Sequence, residues 1–192
     1  MKKLIAIAAL LISSVATFAQ QPVGSFSIQP KVGLNIASLT KADDTDPRFG
    51  LVAGAEFMYQ ASDMLGVSFG ALYSMQGCTA TENKVDFTYK LDYINVPVLA
   101  NVYVAPGFAV KLGLQPAFCI NNKAKAKSGS NSAETKGIDE NTFELSMPIG
   151  LSYEFSNFVI EGRYNFGLTK AFKDMDNKNS VFQFTVGYKL PL

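Results

Sequence analysis

Apolar and polar residues alternate with a period of two over most of this chain, which is the periodicity of strands with one greasy and one wet face. The clearest case is the last stretch, Ser180 to Leu192, where Phe182, Phe184, Val186, Tyr188, Leu190 and Leu192 oppose Gln183, Thr185, Gly187 and Lys189. Seven earlier stretches repeat the pattern: Phe26 to Leu39, Phe49 to Tyr59, Leu65 to Gln76, Val85 to Val104, Phe108 to Ile120, Phe143 to Phe155 and Phe158 to Leu168. In the fourth, Phe87, Tyr89, Leu91 and Tyr93 share one parity with the greasy face, whereas Ile94, Val96, Val98, Val102 and Val104 take the other. A bulge at Tyr93-Ile94 is expected to keep both sets on the same side. Pro30, Pro97, Pro116 and Pro148 fall inside predicted strands, where each removes a ladder hydrogen bond, so broken pairing or bulges are expected there.

The connections alternate. Thr40 to Arg48, Gly77 to Lys84, Asn121 to Asn141 and Thr169 to Asn179 are long and polar, while Ala61 to Met64, Ala105-Pro106-Gly107 and Ser156-Asn157 are tight turns. Short turns at one end and long loops at the other are the habit of barrels in outer membranes, whose outward face is apolar and whose inward face is polar. A strand of about 11 residues rising roughly 3.3 Å each and tilted about 40° spans on the order of 28 Å, close to the apolar band of such barrels. Aromatics cluster at both ends of the greasy face, with Phe26, Tyr59, Phe108, Tyr153, Phe155, Phe158 and Tyr188 toward the turns and Phe49, Tyr73, Phe118, Phe143, Phe166 and Phe182 toward the loops. Two belts match two membrane interfaces. The expected fold is therefore all-β, an eight-stranded antiparallel up-and-down transmembrane β-barrel in which the last strand pairs with the first. The alternative is a soluble periplasmic lipocalin-like binding barrel with these rings inside, although an eight-stranded interior holds little more than its own side chains.

The beginning of the chain bears on compartment. Lys2 and Lys3 precede the apolar run Leu4 to Ile12, and Thr17-Phe18-Ala19 is a small-x-small cleavage pattern, so residues 1–19 are expected to be a signal peptide and 20–192 the barrel domain. That run is too short to span a bilayer as a helix. Cys78 and Cys119, the two cysteines, would meet an oxidising compartment and are candidates for a disulfide, the alternative being two small buried thiols.

Composition adds what the chain lacks. With 17 basic and 16 acidic residues and a net charge of +1, it has no basic excess for nucleic acid. It has no histidine, which removes Ser-His acyl transfer, His-Asp proteolysis and His-rich zinc sites. No enzyme activity and no cofactor are expected. The spacing of Asp43, Asp44 and Asp46 lacks a calcium-loop pattern, so a solvated acidic loop rather than a metal site is expected. Lys123, Lys125, Lys127 and Lys136 in the longest loop could meet anionic lipopolysaccharide or another polyanion.

On the polar face near the turns stand Lys31, Glu56, Lys111, Glu154, Glu161, Arg163 and Lys189. Charges of both signs in so narrow a lumen are expected to pair across strands and fill it, because an unpaired buried charge is costly. The alternative is a narrow solute or ion channel along the same residues.

With the strands placed, the segments Pro30-Lys31-Val32-Gly33-Leu34-Asn35, Leu91-Asp92-Tyr93-Ile94-Asn95-Val96-Pro97 and Val186-Gly187-Tyr188-Lys189-Leu190 resemble the PorT-like group of small outer-membrane β-barrel domains. The resemblance covers essentially the whole mature chain. It implies a monomer in the outer membrane of a Gram-negative cell, in contact with lipid and lipopolysaccharide. The expected role is exercised through the loops toward a protein or polysaccharide, as adhesin, envelope stabiliser or accessory to protein secretion, and a namesake member of the group is associated with the last. A likeness of architecture does not by itself carry a role over.

Overall fold

A computed structural model describes residues 21–40, 45–82, 85–128, 131–136, 141–171 and 177–192. The expected signal peptide, together with Asp43 and Asp44, lies outside the described residues. The elements are all strands: β1 (Phe26–Leu39), β2 (Thr45–Gln60), β3 (Leu65–Glu82), β4 (Val85–Asn95), β5 (Val98–Ala105), β6 (Phe108–Ser128), β7 (Asn131–Lys136), β8 (Phe143–Phe155), β9 (Phe158–Gly167), β10 (Asn179–Tyr188) and β11 (Leu190–Pro191).

They form one closed antiparallel ring. β4 and β5 are the two halves of one wall position, and β10 and β11 are the two halves of the last, so the ring has eight positions. Closure runs from Lys31↔Gly187 to Leu39↔Asn179 between β1 and β10, and continues through Ile28↔Leu190 to β11. At this seam Gly33 is required, because a Cβ there would lie 1.9 Å from the carbonyl oxygen of Phe184 on the neighbouring strand. Closing the ring leaves no unpaired sheet edge in the bilayer.

The two faces separate as the alternation predicts. On β10, Phe182, Phe184 and Val186 are more than half exposed, whereas Gln183 and Thr185 are nearly inaccessible. Over the whole described wall the large apolar side chains lie outside and the buried positions are mostly polar or charged, the inverse of a soluble domain. A soluble barrel with the aromatic rings inside is thereby excluded: among the described residues the fully buried rings are Tyr93 and Tyr103, and most of the others stand on the outer face. The outer aromatics form paired contacts at both rims, Phe26 with Tyr59 (ring centroids 4.8 Å apart) and Phe158 with Tyr188 (5.1 Å) at the turn end. At the loop end, Phe118 meets Phe143 (5.6 Å) and Tyr164 meets Phe182 (4.5 Å).

Three expectations need correction. First, β4 does not change parity. Leu91 and Tyr93 are fully buried inside, where they pack with Leu39, Cys78, Ala117 and Ala171 into an apolar cluster at the loop end, and Tyr89 packs against it. The irregularity sits on the partner strand, where Asp92↔Asn121 is followed by Tyr93↔Cys119 and Ile120 becomes the extra residue. The lumen mouth accepts these rings because the cluster itself supplies an apolar environment.

Second, two segments expected as loops are largely strand. β3 runs on to Glu82, β4 starts at Val85, β6 continues to Ser128, and β7 folds back on it, so a four-stranded extension rises beyond the rim. Polar residues can hold a ladder when neighbouring backbones satisfy one another, and composition overstated the loops.

Third, the prolines differ among themselves. Val96-Pro97 interrupts the strand between β4 and β5, and the β1 ladder to the last strand has a gap at Gln29 and Pro30. Pro148 coincides with a gap in the β6–β8 ladder between Leu112↔Ile149 and Gln115↔Ser146. Pro116, by contrast, remains paired with Leu145, and its carbonyl accepts the Val96 N–H at 2.8 Å.

Candidate functional site: the ion-paired lumen

Strand alternation directs side chains from four walls into the turn-end half of the barrel. Lys31 comes from β1, Glu56 from β2, Lys111 from β6, and Glu161 and Arg163 from β9, all with side chains at most 3% exposed. Lys31 Nζ lies 2.8 Å from Glu56 Oε2 and 3.0 Å from Glu161 Oε2. Lys111 Nζ donates to the same Glu161 oxygen at 2.6 Å, and Arg163 Nη2 reaches Glu56 Oε1 at 2.6 Å. Arg163 also donates to Glu161 Oε1. Each of the four carboxylate oxygens therefore accepts from at least one cation, and apart from Lys31 with Glu56 on the paired β1 and β2, and Arg163 with Glu161 within β9, the bonds join walls that share no ladder. Charge-assisted bonds of this kind repay part of the desolvation of the ions, and removing one member leaves the others buried without compensation.

Lys189 and Glu154 form a second, separate ion pair. Lys189 Nζ also lies 3.5 Å from the Tyr103 hydroxyl and 6.0 Å from that ring's centroid, while the same hydroxyl approaches Met58 Sδ at 3.4 Å. The seven charges singled out by alternation thus sit together as a group of five and a pair.

Other lumen groups make contacts that the pattern did not show. Glu144 is buried and accepts from the Asn179 amide, which also donates to the Tyr93 hydroxyl at 3.3 Å. Asn35 bonds Ser74 at 2.9 Å, Asn101 bonds Ser68 at 3.0 Å, and Arg48, expected in a loop, is buried and donates to the Gln76 carbonyl. Period two identifies which of these residues point inward but not which reach one another across the ring.

Cys78 and Cys119 are not joined in a disulfide. β4 stands between their strands, with Cys78 opposite Tyr89 and Cys119 opposite Tyr93. Two inter-strand steps of about 4.8 Å separate the Cα atoms by roughly 9.6 Å, beyond the ~7 Å a disulfide can bridge. Of the two expectations for this pair, a bridge and two small thiols, the geometry supports the second. Asp46 lies in β2 opposite Thr79, and among the described residues no three His, Cys, Asp or Glu side chains are placed to share a metal ion. The described concavities open on the outer wall, one of them floored by Gly162 between Leu34, Ile160 and Phe184.

The geometry is that of an outer-membrane barrel with a polar interior. Residues 18–173 match the family described as "Outer membrane protein beta-barrel domain", and the chain belongs to it. It is an outer-membrane protein. Among solved structures it is similar to Ail, the attachment invasion locus protein of Yersinia pestis, at 19% identity and a TM-score of 0.55, covering 88% of this chain and 100% of that one. It is also similar to Neisserial surface protein A at 15% identity and a TM-score of 0.53, covering 86% and 97%. A second structure of Ail, in complex with the heparin analogue sucrose octasulfate, matches at 17% identity with a TM-score of 0.53, covering 88% and 100%. At these identities the likeness is one of fold. No curated protein matches the sequence.

Proposed function

We propose that this protein is a non-enzymatic, monomeric barrel closed to solutes, which acts through the surface it presents outside the cell. The observation that carries the reading is the five-membered network of Lys31, Glu56, Lys111, Glu161 and Arg163, which occupies the lumen with paired charges rather than lining it with free ones. An ion entering there would have to displace bonds already made. The strand extension built from β3, β4, β6 and β7 stands at the long-connection end, which in such barrels faces outward, and offers a structured platform for an envelope or extracellular partner. A polysaccharide or protein ligand suits this platform; the PorT-like resemblance adds an accessory role in protein secretion as a form the same surface activity could take.

The test is planar-bilayer recording of the refolded mature chain. The expected result is a silent bilayer. Stable, ion-selective steps whose selectivity changes in Arg163→Ala would establish a channel instead.

A further inference from the structure

The strand extension carries its lysines on one side. Tyr89 packs toward the apolar cluster inside the mouth, so Lys90, the next residue, is on the outer side of β4. Register places Lys123 opposite Lys90, and Lys125 follows two residues on along the same face of β6. The backbone register then sets Lys136 of β7 opposite Lys123, so three lysine positions line up across three adjacent strands. Like charges directly opposite one another destabilise a sheet unless an anion lies among them.

Glu134 supplies part of that anion. It stands opposite Lys125 and its carboxylate pairs with Lys123 at 3.0 Å. The hydrogen bond and charge of Lys123, with Lys90 and Lys125 nearby, hold the Glu134 carboxyl below the usual carboxylate range. Asp92, two positions from Lys90 on the same face, accepts from the Asn121 amide at 2.7 Å, so two carboxylates stand against Lys90, Lys123, Lys125 and the backbone position of Lys136, which leaves a cationic excess. Directly below on the same outer wall lie Phe118 and Ile120, 46% and 57% exposed. Lys123 stands three positions beyond Ile120, a climb of roughly 8 Å along a tilted strand. Lipid-facing side chains thus give way to lysines at the height where the hydrocarbon ends and headgroups begin.

We infer that the outer face of β4 and β6, through Lys90, Lys123 and Lys125, docks the phosphate groups of a phosphorylated glycolipid in the surrounding outer leaflet. Charge complementarity and position together select a membrane-anchored ligand over a soluble one, because the lysines face along the bilayer plane above the lipid-exposed wall rather than over the barrel mouth. The inference rests on the proposed reading of a barrel that works from its outer surface.

The test uses the full mature chain refolded into phosphatidylcholine vesicles containing lipopolysaccharide, extracted in mild detergent, with retained glycolipid measured per barrel. Wild type is expected to retain it. The Lys90→Gln/Lys123→Gln/Lys125→Gln variant is expected to lose at least tenfold in retention, as each lysine near an anionic surface contributes roughly fivefold. Glu134→Gln, which removes a competing carboxylate, is expected to raise retention, and 0.5 M salt to lower it (roughly a threefold shorter screening length than in dilute buffer). Phosphatase-treated lipopolysaccharide should not be retained. Both variants should show the wild-type heat-modifiable band in phosphatidylcholine alone, since none of these residues enters the lumen. Equal retention by the triple variant, retention that ignores the phosphates, or capture of soluble sucrose octasulfate in place of the glycolipid would overturn the inference. Steady conductance with intact retention would overturn only the closed-barrel reading, and silent bilayers with unchanged retention in the triple variant only this one.

Discussion

Arg163 on β9 and Glu56 on β2 meet across the lumen, Nη2 to Oε1 at 2.6 Å, although their strands share no ladder. The bond ties opposite arcs of the ring together through the interior. Arg163→Ala would leave Glu56 and Glu161 with fewer cations in a dry site, at a cost of about 3–5 kcal/mol. Urea titration of the protein in vesicles measures it. Removing charge from both sides, as in Glu56→Gln with Arg163→Met, is expected to cost less than the single change, and a larger loss in the double variant would mean that the network is not what Arg163 supports.

Depth on the outer wall sets the penalty for a new charge. Leu112 and Phe184 are half exposed on the lipid side, and Leu112→Arg or Phe184→Arg should each cost about 2–4 kcal/mol, whereas Ile120→Arg at the loop rim should cost about 0–1 kcal/mol. The same refolding titration separates them. Equal costs at all three positions would contradict the placement of the bilayer.

Two glycines should respond oppositely to alanine. At Gly33 a Cβ would run into the Phe184 carbonyl at the closure seam, so Gly33→Ala is expected to destabilise by about 1–3 kcal/mol as the strands are forced apart. At Gly162 the nearest atom to a new Cβ is a Phe184 ring carbon at 3.5 Å, an ordinary contact, so Gly162→Ala should be neutral or mildly stabilising. Thermal loss of the folded, heat-modifiable band reads both.

Cys78 and Cys119 should both remain reduced after export. Intact mass of the alkylated, unfolded protein is expected to show two modified thiols, and non-reducing gels no mobility shift. A bridge would require the strand between them, β4, to be displaced from its ladders with β3 and β6.

Outside the first half of the fourth wall, alternation alone determined which residues face lipid and which face the lumen, because a strand has two sides and the membrane assigns them opposite polarities. That is why Phe184 and Gln183, or Lys31 and Val32, could be placed from the sequence, and why the seven lumen charges were recognisable before any contact was known. The partners were not recognisable. Lys31 touches Glu161 130 positions away because closure pairs β1 with β10, which in turn pairs with β9, and no local pattern encodes that arc. The same limit explains Leu91 and Tyr93: hydrophobic residues in a barrel of this kind default to the lipid side, and only the convergence of Leu39, Cys78, Ala117 and Ala171 at the mouth creates a second apolar environment that receives them. It explains the extension as well, since Lys123-Ala124-Lys125 reads as loop until β4 and β7 stand on either side to complete its hydrogen bonds. Sequence set the faces; the ring decided which side chains meet, because distance across a closed sheet is a property of its curvature and not of its strands.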